Sequence, residues 1–437
     1  MRILAITALA SILSSAPLAA QTMSDAIKKL YSFGISANCT DQICLAPSLG
    51  TNHQKHFNPA AAGAENGMTV FLTRAIGASA ANIPVAAATS TGVLVQSGEG
   101  LPTRRSTSAG PIFAERMQTI GKGNLYVSLN ATNFDYSTLR GVPLTGLRTS
   151  ITHQDVPPTG LGNPAFENDV IEVSTSMHIA MTALTTSVTY GLGDRIDLGI
   201  AVPALYTSLN GNGSAQIMPF GPNDPHYFAV GGDTSMHSMQ ATSSVSTSAS
   251  GIGDIAARIK VNVLTDKEWG LAFLGDVRIP TGNEQNFQGS GTWGFQAIGI
   301  ASWQLGQFSP HANVGYFAHE GSSQSDAVLV TLGFDQLMAE WATFDFDLIS
   351  QWQVGSGTFQ LPPNVVLTSY NTTQPNTTRT IVPTNIPDER DDVIVSSIGA
   401  KFMLKSSAIL VANALIPILR GGVQANAALT LGVEYTW

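Results

Sequence analysis

Polar and apolar side chains alternate with a period of two over long stretches of the chain, and residues 255–280 show this most clearly. After a turn at residues 265–268, one parity is apolar, aromatic or glycine: Trp269, Leu271, Phe273, Gly275, Val277 and Ile279. The charged residues Asp276 and Arg278 take the other parity. Because successive side chains of a strand point to opposite faces, this strand has an apolar face and a polar face. About ten residues divided in this way are typical of a strand that crosses a membrane beside a polar lumen.

The same alternation recurs in about twelve segments of the chain. They lie near residues 125–131, 188–192, 196–202, 255–263, 269–279, 295–303, 308–316, 328–334, 343–348, 398–404, 408–419 and 429–437, although both parities are apolar at residues 408–419. Bacterial barrels of one chain favour even strand numbers, so ten and fourteen are the alternatives to twelve. We therefore expect an all-β fold, a closed antiparallel transmembrane β-barrel.

The connections between these segments alternate in length. Short turns are expected near residues 193, 266, 306, 336 and 406. Longer polar connections are expected at residues 209–250, 281–291, 318–325 and 355–392. An outer-membrane barrel has short turns on the periplasmic side and long loops outside, whereas a soluble sandwich has no reason to sort its connections. Charged residues make up only 12% of the chain, about half the usual share of a soluble domain.

The final strand, from Ala427 to Trp437, carries Tyr435 and Trp437 on its apolar parity. Aromatic residues at a strand end suit the girdle at which a barrel wall meets the membrane surface. We interpret Tyr435 and Trp437 as an assembly signal, with outer-membrane lipid and the barrel-assembly machinery as expected partners. The edge strand of a soluble sandwich is the alternative for this stretch.

Residues 1–20 have the features of a secretory signal peptide: Arg2, an apolar core, and small residues from Ala16 to Ala20. A short buried helix is the alternative. The later apolar run at residues 408–419 is shorter than the roughly 20 residues that a spanning helix needs. Export together with the strand pattern predicts the outer membrane, and residues 111–437 are predicted to form the barrel.

Residues 21–110 are expected to form an N-terminal plug or a periplasmic segment, with extra strands as a further alternative. The segment begins with an amphipathic piece, Ser24 to Leu30, and alternates like a strand only from Met68 to Leu72. We favour a compact segment that lies in or against the pore.

The chain has two cysteines, Cys39 and Cys44, close together in this N-terminal segment. In an oxidising compartment they are expected to form one disulfide. A metal site that also uses His53 and His56 is the alternative, although the spacing lacks a clear zinc pattern.

The candidate functional residues are polar side chains on the inward parity of the strands. They are Arg258, Lys260, Asp276, Arg278, His311, Asn313, Asp345 and Asp347. They are predicted to line the lumen as a charged constriction that filters solutes, or to pair with one another and only maintain the barrel's shape. A hydrolase would need a serine beside His311, and the sequence has no G-x-S-x-G motif. We therefore predict no enzyme, no catalytic residue, no metal and no cofactor.

Three short glycine-rich motifs resemble one known family. They are Gly251-Ile252-Gly253-Asp254, then Ile279-Pro280-Thr281-Gly282-Asn283, and the earlier echo Gly191-Leu192-Gly193-Asp194. Over residues 120–437 the chain resembles the outer-membrane family of the MetA pathway of phenol degradation, which is similar in kind to FadL-like channels for hydrophobic compounds. The resemblance implies a barrel that passes small apolar or aromatic molecules across the outer membrane.

The expected function is therefore an outer-membrane channel or facilitator whose partner is a small-molecule solute. A structural or surface-interaction barrel without an open pore is the alternative. The net charge of −9 argues against nucleic acid as a partner, because nucleic acids select basic surfaces.

Overall fold

The computed structural model describes most of the chain from residue 108 onward and parts of the N-terminal segment. The described residues are 21–31, 33, 45–46, 68–81, 87, 93–95, 104–106, 108–152, 169–219, 227–230, 233–321, 324–355, 361, 363–369, 377–404 and 408–437. The predicted signal peptide and the predicted disulfide between Cys39 and Cys44 lie outside these residues. The alternative metal ligands His53 and His56 also lie outside them.

Twelve antiparallel strands form a closed barrel. They are β1 (Leu125–Leu139), β2 (Val170–Gly193), β3 (Ile196–Met218), β4 (Ile255–Thr265), β5 (Trp269–Ile279), β6 (Gly294–Trp303), β7 (Phe308–His319), β8 (Ala327–Ala339), β9 (Ala342–Gln353), β10 (Val393–Met403), β11 (Ala408–Arg420) and β12 (Val423–Thr436). Each strand pairs with the next, and β12 pairs with β1 to close the sheet. The predicted all-β barrel and its strand number are confirmed.

The two ends of the barrel differ in their connections. The short-turn end carries the turns after β2, β4, β6, β8 and β10, together with Leu125 and Trp437, whose backbones exchange hydrogen bonds of 3.3 and 3.0 Å. The opposite end, the long-loop end, carries the other connections, of which only the β11–β12 turn is short. One predicted turn is displaced. Gln336 still pairs with Phe344, so β8 continues past residue 336 and the turn to β9 lies at Glu340 and Trp341.

The outer wall of the barrel is apolar and the inner wall is polar. In β12, Leu429 and Leu431 are 64% and 68% exposed, whereas the intervening Thr430 is 1% exposed. The outward parity of β5 is also exposed, at Trp269, Leu271 and Phe273. The same division holds for outward-facing Leu198, Ile259, Phe295, Val314, Leu332, Ile398 and Leu410. An apolar band of this kind faces hydrocarbon in transmembrane barrels.

Strands β2 and β3 are 24 and 23 residues long, about twice the length that a tilted strand needs to cross a membrane. Their outer halves pair with two further strands, Leu147–Ile151 and Gln240–Ile252. The prediction of a loop over residues 209–250 was therefore wrong. Hydroxyl and amide side chains replace apolar ones on the outward parity there, as at Ser208, Asn210 and Asn212, while inward Leu205 and Leu209 are buried. The alternation is therefore inverted relative to the rest of the strand.

Among the described residues, two α-helices lie at the long-loop end: α1 (Met23–Leu30) and α2 (Met68–Ala81). Thr22 caps α1 by accepting a hydrogen bond from the Asp25 backbone N–H, as N-terminal caps do. The strand-like interpretation of residues 68–72 was wrong. This stretch is the first part of α2, an apolar helix whose Leu72 and Ile76 are fully buried. Neither described helix is long and apolar enough to span a bilayer.

The remaining described strands are short and are not among the twelve that close the barrel. They are Leu45–Ala46 with Tyr227–Val230 and Asp233–Ser238, Val93–Val95 with Arg104–Ser106, Val365–Ser369 with Thr377–Ile381, and Val142–Pro143 beside β1.

The glycine-rich motifs that accompany β4 and β5 are joined by Asp254. Its carboxylate accepts hydrogen bonds from the Gly282 backbone (3.0 Å) and from the Ser290 backbone and hydroxyl (2.8 and 2.7 Å). The Thr281 hydroxyl donates to the Gly253 carbonyl at 2.7 Å. The loop fixed in this way reaches α1, because the Asn286 amide oxygen accepts from the Met23 backbone N–H at 3.3 Å. The two motifs therefore occur together because one binds the other.

Candidate functional site: the barrel interior

Residues 108–120, which we call the crossing segment, run through the barrel near its short-turn end. The segment starts beside β8 and β9, where the Ser108 hydroxyl donates to Asp335 and the Ala109 N–H donates to Thr343 at 2.9 Å. It finishes beside β3, where the Ile120 N–H donates to Asp197 at 3.0 Å. Strands β8 and β9 lie on the opposite side of a twelve-strand barrel from β3, so the segment spans the lumen.

The crossing segment reaches the first barrel strand by way of a tight contact with β2. A Cβ atom on Gly191 would lie 1.9 Å from the Gly121 carbonyl oxygen, so this position of the Gly-Leu-Gly-Asp motif accepts only glycine. The first strand of the closed barrel begins at Leu125. The predicted boundary between the N-terminal segment and the barrel, after residue 110, stays a prediction. Residues of the crossing segment on both sides of this boundary contact the inner wall.

Glu115 of the crossing segment lies at the centre of the first charged group, the Glu115 cluster. Its carboxylate is 3.0 Å from the Arg258 guanidinium and 3.2 Å from the Lys260 ammonium, both of which project inward from β4. Asp276 of β5 in turn contacts Arg258 at 3.1 Å and Arg278 at 2.9 Å. Arg258 and Asp276 are directly opposite each other in the β4–β5 register, so the strand pairing itself positions this ion pair.

The second charged group, the Asp335 cluster, lies against β7, β8 and β9. His311 places Nε2 2.7 Å from Asp347 and Nδ1 3.7 Å from Asp335. Arg116 of the crossing segment also reaches Asp335, at 3.4 Å. Asp345 is fully buried directly opposite Asp335 in the β8–β9 register.

A further ion pair joins Lys401 of β10 to Glu434 of β12 at 3.1 Å, and both side chains are almost completely buried. An ion pair withdrawn from water in this way is costly to break, because the partner that remains is an uncompensated buried charge.

The eight sequence-predicted candidates all point into the barrel, and the structure brings them together. Seven belong to the two clusters, and Asn313 binds the crossing segment through both the N–H and the carbonyl of Glu115, each at 2.9 Å. In this structure they pair with one another and with the crossing segment. Their role in filtering solutes stays a prediction.

Sequence reasoning missed several residues that complete these clusters, and it missed the Lys401–Glu434 ion pair. Asp335 and Lys401 share the inward parity of their strands, so parity alone could have found them. Glu115 and Arg116 lie outside every periodic segment and gave no such signal.

No described serine hydroxyl is hydrogen-bonded to His311, and both of its ring nitrogens face carboxylates. The Ser108 hydroxyl donates to Asp335, and the hydroxyl of Ser302, which lies opposite His311 in the β6–β7 register, accepts from the Met117 N–H at 3.1 Å. Among the described residues, no three His, Cys, Asp or Glu side chains are arranged to hold a metal ion.

A second feature of the interior is a cavity of about 210 Å³ at the long-loop end, which we call the long-loop cavity. One wall is apolar and is formed by α2 with strands β1, β11 and β12. This wall includes Ala75, Ala78, Phe134, Leu415, Val423 and Ala428. A second wall, formed by β7 to β9 and the β7–β8 loop, is largely polar and includes His319, Gln324, Asp326, Gln351 and Gln353.

Hydrogen bonds hold the polar wall in place. Asp326 accepts from the Tyr316 hydroxyl at 2.7 Å and from the His319 N–H at 2.9 Å. These hydrogen bonds lower the pKa of Asp326 below its ordinary value, and the bond from the His319 backbone has the largest effect. The Asp326 carboxylate is therefore ionised at neutral pH. The other carboxylate at the rim, Asp391, is paired with Arg140 at 2.8 and 3.0 Å.

A family model described as "Putative MetA-pathway of phenol degradation" matches residues 168–377, which include β2 to β9 and all three glycine-rich motifs. The predicted family resemblance is confirmed. No curated protein matches the chain.

Among solved structures, an outer-membrane channel from Pseudomonas putida F1 is 11% identical, covers 74% of this chain and 98% of that one, and superposes with a TM-score of 0.40. A FadL homologue from Pseudomonas aeruginosa is 12% identical over 73% of this chain and 90% of that one, with a TM-score of 0.32. A toluene transporter from Ralstonia pickettii is 9% identical over 72% and 90%, with a TM-score of 0.24. At these identities the likeness extends to the fold alone.

Proposed function

We propose that the protein is an outer-membrane channel or facilitator for small apolar or aromatic solutes, and that it is not an enzyme. The observation that carries the proposal is the division of the barrel wall: apolar side chains point outward on every side, while buried charges and a cavity with one apolar wall lie within. Hydrocarbon would solvate the outer wall, and a solute would occupy the interior.

The N-terminal segment acts in this proposal as a plug. Support comes from α1 and α2, which fill the long-loop end, and from the crossing segment, which is bound to the wall at the short-turn end. The short-turn end would face the periplasm. Tyr435 and Trp437, whose rings make an edge contact at 4.4 Å, would serve the barrel-assembly machinery and the lipid interface.

Uptake by intact cells tests the transport step. A deletion strain is expected to take up a labelled apolar aromatic such as toluene more slowly than the same strain complemented with the wild-type chain. Uptake of a small sugar is the control, because it would use other channels. Equal toluene uptake with and without the protein would contradict the proposal.

The alternative is a structural or surface-interaction barrel without an open pore, and the crossing segment is the observation that favours it. Planar-bilayer conductance separates the two. The wild type is expected to conduct weakly, and removal of residues 22–120 is expected to give clear single-channel steps. A barrel that folds without these residues and still does not conduct would support the alternative.

A further inference from the structure

We propose that the sheet extending from β2 and β3 beyond the apolar band binds the sugar chain of lipopolysaccharide, the glycolipid of the outer leaflet that surrounds the barrel. The binding surface, which we call the outer polar face, consists of the outward side chains of Leu147–Ile151, residues 172–178 of β2, residues 208–216 of β3, and residues 240–248. The inference rests on the orientation in the proposed function, with the long-loop end outside the cell, and is independent of the transported solute.

The outer polar face continues the lipid-facing wall. On β3 the exposed apolar side chains end at Tyr206, and the next outward residues are Ser208, Asn210 and Asn212. At about 3.3 Å per residue and a strand tilt of about 40°, residues 208–216 rise roughly 20 Å beyond the apolar band. The layer next to the hydrocarbon on this side holds the headgroups, so the sugars of the glycolipid are the neighbours of this face by position.

The composition of the face differs from that of a sheet face in water. Every outward residue from Ser208 to Gln216, and from Gln240 to Ser248, is Ser, Thr, Asn or Gln, and neither stretch contains a charged residue. Among the described strands, Gln240–Ile252 ends the sheet on this side. An edge strand in water usually carries charged residues, lysine especially. Exposure to water therefore does not account for a face of short, neutral hydroxyl and amide groups.

Hydroxyl and amide groups match the chemistry of a neutral sugar. A sugar hydroxyl both donates and accepts hydrogen bonds, as Ser, Thr, Asn and Gln do, whereas Lys and Arg only donate and ionised carboxylates only accept. Two cross-strand bonds order the face: Gln240 Nε2 donates to Gln216 Oε1 at 2.6 Å, and the Ser246 hydroxyl donates to Asn210 Oδ1 at 2.7 Å. Side chains that are ordered before binding lower its entropic cost.

A groove of about 580 Å³ crosses the outer polar face and supplies a concave site. This volume is within the roughly 300–1,000 Å³ that is typical of ligand sites. The groove opens outward, because the other side of the sheet packs on α1, where the Ser243 hydroxyl donates to the Leu30 carbonyl at 2.9 Å. Each of the four strands contributes an outward residue to its lining, as at Arg148, Ser174, Asn212 and Ser244.

The charge of the groove favours sugars over the phosphates of the glycolipid. The titratable side chains of the outer polar face are Arg148, Glu172 and His178, and of these only Arg148 is among the described residues that line the groove. Phosphate groups are bound by clustered arginine and lysine side chains, which provide charge-assisted hydrogen bonds. The groove therefore fits the neutral sugars of the chain rather than its phosphorylated parts.

Calorimetric titration of the full chain in phosphatidylcholine nanodiscs with the core oligosaccharide released from lipopolysaccharide tests the face. The wild type is expected to bind it, and to bind the phosphatase-treated oligosaccharide with an affinity within about twofold. Asn212→Ala/Ser244→Ala removes an amide and a hydroxyl that lie opposite each other in the groove, so the affinity should fall about tenfold. Asn133→Ala/Thr182→Ala is the matched control, because this amide and hydroxyl are also opposite each other on exposed positions but lie outside the groove, and it should bind as the wild type does.

Intact lipopolysaccharide in the bilayer tests the source of the sugar. Hydrogen exchange at residues 240–248 should be slower in nanodiscs with complete-core lipopolysaccharide than in nanodiscs with a deep-rough form, which lacks the neutral outer sugars. The Asn212→Ala/Ser244→Ala variant should lose this difference.

Several results would overturn the inference: no binding of the released oligosaccharide, an equal loss of affinity in both double variants, or equal exchange with the two glycolipids. Loss of binding after phosphatase treatment would make the groove a phosphate site and would overturn it as well. Toluene uptake without sugar binding would refute the face alone, whereas sugar binding without toluene uptake would refute the proposed solute and leave the face in place.

Discussion

The two ends of the barrel interior are closed by different physical means. At the short-turn end, buried ion pairs and hydrogen bonds join the crossing segment to strands on opposite sides of the wall. At the long-loop end, α1 and α2 lie in an apolar cluster with β1, β2 and β3, and a cavity remains beside α2.

The difference bears on how each end can respond to a solute. Directional ionic contacts keep their strength only in one geometry, and loss of one partner leaves the other charge buried. Apolar contacts are non-directional and scale with buried area, so an apolar end can accommodate a ligand with small shifts. We therefore expect the short-turn end to be stiff and sensitive to substitution, and the long-loop end to be adaptable.

The largest expected effect comes from removal of one charge at the short-turn end. Lys401→Met leaves Glu434 buried and unpaired and should lower the free energy of unfolding by about 3–5 kcal/mol. Lys267→Met, in the exposed β4–β5 turn, should have almost no effect. Urea unfolding in detergent, followed by the heat-dependent gel mobility of the barrel, measures both. Equal stability of the two variants would show that the buried pair contributes little.

A smaller effect is expected from Asp254, a charged anchor of one loop at the long-loop end. Asp254→Ala removes three hydrogen bonds to the loop at residues 281–292 and should cost about 2–4 kcal/mol. Hydrogen exchange should accelerate at the Gly282 and Ser290 amides first. Asp266→Ala, whose carboxylate is exposed, is the control. Unchanged exchange at both amides would argue against the motif contact.

The apolar side of the long-loop end should be more tolerant. Tyr136→Phe removes the hydroxyl that accepts from Ser79 at 3.4 Å and leaves the ring in place, so the cost should be about 1 kcal/mol. Tyr206→Phe, on the exposed wall, should cost nothing measurable. Urea midpoints give the comparison, and a loss as large as that of Lys401→Met would remove the proposed difference between the ends.

The smallest expected effect is a pH dependence at the cavity rim. Because hydrogen bonds lower the pKa of Asp326, its ionised form stabilises the rim above the ordinary carboxyl pKa, and this contribution is lost as the pH falls through the lowered value. The His319 amide should therefore keep its protection from exchange at pH 5, after correction for intrinsic rates, and lose it only in strong acid. In Asp326→Asn the protection should not depend on pH. Loss of protection in the wild type between pH 7 and 5 would contradict this assignment.

The barrel itself could be predicted from the sequence because its wall repeats one simple rule. In β4, β5 and β12, outward-facing residues are apolar and most lumen-facing residues are polar or small, with Leu274 as an exception. The alternation therefore indicates which face of each strand points outward. The rule failed where the environment changed. The outer half of β3 has polar side chains on its outward face, and α2 is apolar on both parities, so neither carried the expected pattern.

The candidate site could be predicted only in part. Parity identified inward charges such as Arg258 and Asp347, but their partners depend on how the sheet closes. Glu115 and Arg258 form an ion pair although they are 143 residues apart in the sequence. Ser79 of α2 and Val423 share a hydrogen bond although they are 344 residues apart. Contacts of this kind have no local signature, and the cavity they enclose has none either.

The central claim is that apolar side chains face lipid while their polar neighbours face the lumen. Spin labels placed one at a time at Leu429, Thr430, Leu431 and Val433, in a chain with Cys39 and Cys44 replaced by serine, test it most directly in bilayers. Oxygen accessibility should be high at Leu429, Leu431 and Val433 and low at Thr430, and a water-soluble nickel complex should reach none of the three apolar positions. Nickel access at Leu431 equal to that of an exposed turn residue would contradict the account.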